Sequence, residues 1–388
     1  MKTRTKPRAR ATATTTSPRL LEIRLPAGDC IGIDVDYPTA TGHTKYDSRS
    51  WLGAGWDGIR FIGAGIGQTH LRPGWDWDTV IVNRHGGIVQ FESLTLHAGR
   101  NRGMFFGLQN NARETPNPKC QLRLIDVEGI VDQPGPDGAR TKWLLFGYNT
   151  DVYLQDVTLD ATLASEHASY WHGFAKLGLK WVRVKVLGSG SQGCKVRSDI
   201  TETAPVVGTL ISLSSCTFKN YGQPWSTRGG AGFVVESGAS DIIVEKCAFW
   251  GGQDNEHSHA IALSSEAMSY DTAGQVGTTG FGNGHVLLRD IAVSGRSLVD
   301  WNNSVIRCAR NSGSMKSAKS FTLTRSGVWG PSTLLQLGEI PAGTSQVTQC
   351  NTPALRSYCG HALGMSVDVE TAFATSQRRI PLSEGLVR

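Results

Sequence analysis

The feature that most narrows what this chain can become is a short apolar alternation that keeps returning. It reads Val89-Gln-Phe-Glu-Ser-Leu-Thr-Leu, Leu122-Arg-Leu-Ile-Asp-Val-Glu, Val152-Tyr-Leu-Gln-Asp-Val-Thr-Leu and Leu179-Lys-Trp-Val-Arg-Val-Lys-Val. It continues as Ile211-Ser-Leu-Ser-Ser-Cys-Thr-Phe, Ile243-Val-Glu-Lys-Cys-Ala-Phe, Val286-Leu-Leu-Arg-Asp-Ile-Ala-Val and Phe321-Thr-Leu-Thr-Arg-Ser-Gly-Val. Successive starts lie 27 to 43 residues apart, so strands keep register while the connections vary in length. A second class of strand precedes each of these: Gly58-Ile-Arg-Phe-Ile, Gly103-Met-Phe-Phe-Gly, Lys142-Trp-Leu-Leu-Phe, Gly173-Phe-Ala-Lys-Leu, Gly193-Cys-Lys-Val, Gly232-Phe-Val-Val and Ser304-Val-Ile-Arg-Cys. Two strand classes per turn, repeated about nine times, specify an all-β, single-stranded right-handed parallel β-helix. A β-sandwich would need hairpin turns such as Asn-Gly between neighbouring strands, and these are scarce.

One window shows the turn closing on itself. In Gly229–Ser265, strand-like runs over Phe233–Glu236, Ile242–Lys246 and Cys247–Trp250 are punctuated by Gly, Ser, Asp and Asn, and the pattern restarts at Ala260-Ile-Ala-Leu. From Val80 to Trp329 the coils run nearly without interruption, which gives one elongated domain over 20–330. Residues 331–388 read as a C-terminal cap or docking segment, within which Cys350 and Cys359 are the one pair placed to meet as a disulfide.

Charge is distributed unevenly. Lys2, Arg4, Lys6, Arg8, Arg10 and Arg19 face no acid in the first twenty residues, and they account for the net charge of +6. A basic arm over 1–19 reads first as a solvated disordered tail, and such an arm can also bind nucleic acid or an acidic partner surface. The neutral body argues against a dedicated nucleic-acid-binding domain. No run of eighteen apolar residues is present, and the Ala/Thr-rich stretch Ala11–Ser17 is too polar for the centre of a signal peptide. The expected location is therefore a virion, or the cytoplasm before release by lysis.

The eight cysteines form no Cys-x-x-Cys pair and lie at no zinc spacing. Cys216 and Cys247 fall where other turns carry Val127, Val157 or Ile291, which marks them as small apolar core residues. The glycines of Gly58-Ile-Arg-Phe-Ile-Gly-Ala-Gly-Ile-Gly-Gln-Thr precede neither a helix nor a Lys-Ser/Thr, so they serve tight turns rather than a phosphate loop.

The strand pattern over about 20–330 resembles that of the pectin lyase-like superfamily, which includes polysaccharide lyases, polygalacturonase-type hydrolases, uronan epimerases and phage tailspikes. The resemblance implies a substrate groove along one sheet and its longer loops, here Cys247–Trp250 and onward to His259. Gly251-Gly-Gln-Asp resembles the segment where polygalacturonases carry Gly-Asp-Asp, which gives Asp254 a catalytic-like position. The remaining elements depart: no Gly-His-Gly is present, Asn149-Thr-Asp follows a different strand, and Arg183-Val-Lys lies within a strand. Lyase and epimerase signatures are also missing.

Physical placement adds to this. Neighbouring coils stack about 4.8 Å apart, so equivalent loops act together. The catalytic candidates are Asp254, Glu256, His257 and Asp300, and the substrate-binding candidates are Lys219, Trp225, Arg228, Trp250, His259 and Trp301. Asp254 with Asp300 would supply the two carboxylates of glycoside hydrolysis. Elimination would instead use His257 or Lys219 as base, with Arg228 or Ca²⁺ against a uronate. Glu166, His167 and His172, with Trp171 beside them, form a further group a few coils earlier, and Trp75-Asp-Trp-Asp offers another sugar subsite or a covering loop. Each candidate has a plainer reading: acids on solenoid loops are commonly just solvated, Trp packs between coils, and His257 with His259 lacks a third metal ligand. The expected function is a carbohydrate-active β-helix that binds and cleaves a polysaccharide, tailspike-like and trimeric, contacting virion proteins through its arm or C-terminal segment. The alternative is a structural or adhesive β-helix without chemistry. No cofactor is expected, apart from Ca²⁺ in the lyase case.

Overall fold

A computed structural model of the chain describes residues 17–31, 43–47, 57–72, 78–82, 87–99, 104–107, 120–132, 141–148, 150–173, 178–198, 210–223, 230–236, 241–251, 259–264, 281–294, 304–308, 316–329, 333–337, 344–350, 355–357 and 366–367. Among them the only regular elements are strands, which fall into one sheet of 19 and one of 11. Their pairing is parallel throughout, and each strand meets its equivalent one coil away. Leu213 stands beside Val244, one rung on, as a coil of about thirty residues requires. The parallel β-helix expected from the repeat is thus present.

The alternation in the sequence becomes two inward columns in the first sheet. One runs Val89, Leu122, Val152, Leu179, Ile211, Ile242, Val286 and Phe321. The other runs Phe91, Leu124, Leu154, Trp181, Leu213, Val244, Leu288, Leu323 and Val347. All are buried, and each such side chain removed from water stabilises the fold by roughly 1.5–3 kcal/mol. Stacking identical positions lets one small pattern build the entire core.

From Gly87–His97 to Ser345–Thr348, each coil of the first sheet bends at a single left-handed residue. Ser93, Asp126, Asp156, Arg183, Ser215, Lys246, Asp290, Arg325 and Gln349 all have φ between 49° and 56°. That conformation costs about 1–2 kcal/mol outside glycine, and here inter-rung bonds offset it. The N–H of Arg183 donates to Ser214 O, that of Ser215 to Glu245 O and that of Lys246 to Arg289 O. Outward side chains of the column pair as well: Arg183 donates to both carboxylate oxygens of Asp156, and Arg325 does the same to Asp290. The residue after the bend turns inward, which places Cys216 and Cys247 beside Val157, Val184 and Ile291 in the core, as expected.

Several expectations change. Gly58–Ile62 belongs to the first sheet, between Leu20–Arg24 and Gly87–His97, and not to the second strand class. The second-sheet strand near residue 173 is His167–Gly173, upstream of Phe174. Arg183 lies at the bend and not inside a strand. The ladder passes the boundary expected at 330: Thr333–Leu337, Ser345–Thr348, Leu355–Ser357 and Ser366–Val367 continue both sheets. Cys350 is a free, buried thiol whose Sγ donates to Thr348 O at 3.1 Å, so it is not half of a disulfide. Gly65 and Gly67, at φ +149° and +71°, form the tight turn read from the sequence.

Candidate functional site

Of the expected site residues, Lys219, Trp250 and His259 are described; Trp225, Arg228, Asp254, Glu256, His257, Asp300 and Trp301 lie outside the described residues, as do Trp75, Asp76 and Trp77. Lys219 and Trp250 are register partners on adjacent rungs of the first sheet, and the Lys219 ammonium sits 5.0 Å from the Trp250 ring centre. His259 opens a strand of the second sheet, where its N–H donates to Gly230 O. The structure thus brings Lys219 and Trp250 together and places His259 across the following turn.

The earlier group divides. Trp171 is fully buried and belongs to the core, and His167 is 1% exposed. Glu166 remains at the surface turn, where its carboxylate accepts a hydrogen bond from Trp143 Nε1 at 3.0 Å and lies 3.8 Å from His167 Nε2. Register explains the rest. Phe146, Tyr170, Lys195 and Val234 form one column of the second sheet, alternating with the inward column Leu145, Ser169, Cys194 and Phe233. The first column therefore faces outward. Trp143 stacks on Phe146 at 4.6 Å, Phe146 meets Tyr170 edge-on at 5.1 Å, Lys195 lies 5.4 Å over Tyr170, and Lys142 lies 5.8 Å over Trp143. Trp143 and Tyr170 are half-buried and stand on consecutive coils beside one carboxylate and two ammonium groups.

A second cluster was not anticipated from the sequence. Where first-sheet strands end and the chain turns toward the second sheet, Asp29, His70, Arg72, His97 and Asp132 converge. Arg72 bridges Asp29 at 2.8 Å and Asp132 at 3.0 Å. His97 Nδ1 lies 2.7 Å from Asp132 Oδ2, and His97 Nε2 lies 3.0 Å from His70 Nδ1. Hydrogen bonding from His97 and then Arg72 outweighs burial and holds the Asp132 carboxyl down at about 2, so it is ionised at neutral pH. Asp29 is likewise held low by Arg72. The signal was present in the register: Asp29 pairs with His70, and Leu71 with Leu96, which sets Arg72 beside His97. Stacking the coils residue by residue would have revealed it; reading motifs along the chain does not.

The two features share a corner. Thr141, two residues before Trp143, donates to Gly99 O, two residues after His97, and Glu166 N donates to Lys142 O on the next rung. Among the described residues no group of three or more His, Cys, Asp or Glu is arranged to hold a metal, and no helix is long and apolar enough to cross a membrane.

Neither protein family models nor curated proteins match the chain. Solved structures similar to it include the A-module of the mannuronan C-5 epimerase AlgE4 of Azotobacter vinelandii, with a TM-score of 0.47 and 12% identity over 88% of this chain and 91% of that one. Another is the catalytic domain of a GH87 α-1,3-glucanase in complex with nigerose, with a TM-score of 0.48 and 13% identity over 85% of this chain and 54% of that one. A third is ORF18 of Geobacillus virus E2, with a TM-score of 0.42 and 9% identity over 85% and 52%. At such distances they add nothing about chemistry, and the parallel β-helix rests on the strand pairing itself.

Proposed function

We propose that this protein binds a polysaccharide along the turns from its first to its second sheet and the outer face beside them, and acts on it. The observation that supports this reading is the half-exposed aromatic surface of Trp143 and Tyr170 on consecutive rungs, bracketed by Glu166, Lys142 and Lys195. The C–H face of a pyranose packs on such rings while its rim hydroxyls meet carboxylate and ammonium groups. Exposed cation–π contacts are worth only about 0.5–1 kcal/mol, so the flexible lysines above Trp143, Tyr170 and Trp250 yield readily to a sugar. The catalytic groups of this reading are those expected from the sequence: Asp254 and Asp300 as the carboxylate pair, with Glu256 and His257 beside them and Trp225, Arg228, Trp250, His259 and Trp301 along the chain path of the ligand. A lyase route would add Ca²⁺. A virion-attached trimer, held through the basic arm or the C-terminal segment, belongs to the same reading.

A glycan array followed by product analysis tests it. Trp143→Ala and Tyr170→Ala should each weaken binding of the best glycan by roughly tenfold, about 1.4 kcal/mol, measured well below the somewhat lowered melting temperature of each variant, where native circular dichroism is retained. Full binding in both variants would remove this surface from recognition. Turnover unchanged in Asp254→Asn would remove Asp254 from the mechanism, and binding without any product would leave an adhesive protein.

A further inference from the structure

The hydrogen bonds around His97 fix the tautomer of two imidazoles. Asp132 is acceptor-only when ionised, so at 2.7 Å His97 Nδ1 must carry the proton and donate it. Arg72 lies 3.1 Å from the same Nδ1 because both donate to one oxygen, Asp132 Oδ2. His97 Nε2 is then the bare nitrogen, and it accepts from His70 Nδ1 at 3.0 Å. His70 is left with its proton on Nδ1 and a lone pair on Nε2, and no hydrogen bond to that Nε2 occurs among the described residues. His97 is 4% exposed and locked, whereas His70 is only partly buried.

We infer that Asp132, His97 and His70 form a hydrogen-bonded relay whose outer end, His70 Nε2, is a proton-accepting site for the hydroxyl of an uncharged ligand, a sugar or water. In the step it would perform, the O–H bond breaks, its electron pair stays on oxygen and the proton goes to His70 Nε2. The imidazolium so formed keeps donating through Nδ1 to His97, and Asp132 stays a carboxylate that orients the relay. Asp29 and Asp132 outnumber Arg72, which both of them engage, and Glu128 lies near through Thr95 Oγ1 at 3.3 Å. This surplus of negative charge disfavours a uronate or phosphate. His70 is the catalytic candidate; His97 and Asp132 are positioning residues. The inference stands apart from the aromatic surface, since its test uses no glycan.

Nitrogen-15 shifts of the full chain labelled at histidine, with His70→Gln and His97→Gln to assign the signals, read the tautomers directly. Both rings should carry the proton on Nδ1 at neutral pH. A proton on His70 Nε2, the form a free imidazole prefers, would overturn the relay. Diethyl pyrocarbonate attacks bare ring nitrogens, so His70 should be carbethoxylated at neutral pH while His97, hydrogen-bonded at both nitrogens, is spared. Asp132→Ala should slow the His70 reaction several-fold. A His70 that resists carbethoxylation in the unsubstituted protein, or a His70 rate indifferent to Asp132→Ala in a variant with native circular dichroism, would sink the assignment.

Discussion

At the scale of single residues, the molecule is held by side chains whose partners sit one coil away. Asp132 illustrates this through pH. Its carboxyl is held at about 2 in the fold, against an ordinary value near 3.9. A depressed native value contributes stability that is complete above the unfolded value and is lost as pH falls toward the folded one. The full shift would be worth about 2.5 kcal/mol at pH 7, and because Asp132 is exposed, solvent screening cuts this to about 1 kcal/mol. Asp132→Ala should therefore melt lower than the parent at pH 7, and the gap should close between about pH 4 and pH 2; urea titrations at a series of pH values would show a constant gap if the group were not linked to folding. Glycine makes an equally local demand. A Cβ on Gly232 would lie 2.5 Å from Phe249 Cδ1 and 2.8 Å from Ala260 O, and one on Gly193 would lie 2.7 Å from Phe218 Cδ1. Phe218 and Phe249 stack at 4.9 Å and 2° between planes, so neither ring can retreat without disturbing the other. Gly232→Ala should cost about 1–3 kcal/mol, and combined with Phe249→Leu the losses should sum to less than the separate values.

At the scale of elements, the left-handed bend is the unit that repeats, and its next residue shows why cysteine recurs there. The thiols of Cys216, Cys247 and Cys350 each donate to the carbonyl two residues back, at 3.4, 3.2 and 3.1 Å, and Ser326 does so with its hydroxyl at 2.9 Å. Cys247 Sγ also takes Cys216 N at 3.4 Å, as Ser326 Oγ takes Ile291 N at 3.0 Å. A small donor-acceptor thus accepts from the N–H of the residue after the bend one rung back and adds a second bond to a carbonyl already paired across rungs, which valine at that position cannot do. Cys247→Ser should retain more stability than Cys247→Val, and the opposite order would show that volume governs the site. Burial also pushes four of the buried thiols up, Cys308 to about 12 and Cys350 to about 11, with Cys194 and Cys247 raised well above the ordinary value. Native alkylation followed by peptide mapping should modify the partly exposed Cys30 and spare all five buried thiols until denaturant is added. The period-two runs announced these strands because an inward column needs an apolar residue at every second position. What the runs hid was the face behind Gly58-Ile-Arg-Phe-Ile, which has the composition of either sheet and is placed only by pairing with Leu20–Arg24 and Gly87–His97. His167-Ala-Ser-Tyr-Trp-His was overlooked as a strand because Ser and His interrupt its apolar pattern, although Ser169 and His167 are buried.

At the scale of the whole molecule, each coil touches only its neighbours, so stability is a sum of rungs and interfaces between rungs. The register makes this testable without reference to function. Ile211 pairs with Ile242, and Cys216 N with Cys247 Sγ, both a step of 31 residues. Excising residues 211–241 joins Leu210 to Ile242 and sets Ile242 beside Leu179, Val244 beside Trp181 and Phe249 beside Val186, since these positions already share columns with Ile211, Leu213 and Phe218. Every inward position then still receives an apolar side chain, and the left-handed residue Lys246 falls beside Arg183 where Ser215 stood. Excising one residue fewer, 211–240, joins Leu210 to Asp241 and would bring Asp241 to the inward position beside Leu179. A one-residue slip sends every buried side chain of a strand to the opposite face. The in-register deletion should keep the β-type circular dichroism and a cooperative melt with a smaller unfolding enthalpy, whereas the off-register deletion should lose cooperativity or aggregate. If both deletions melted alike, the columns would not be what holds successive coils together, and the corner that unites His97, Asp132 and Trp143 would lose its physical basis as well.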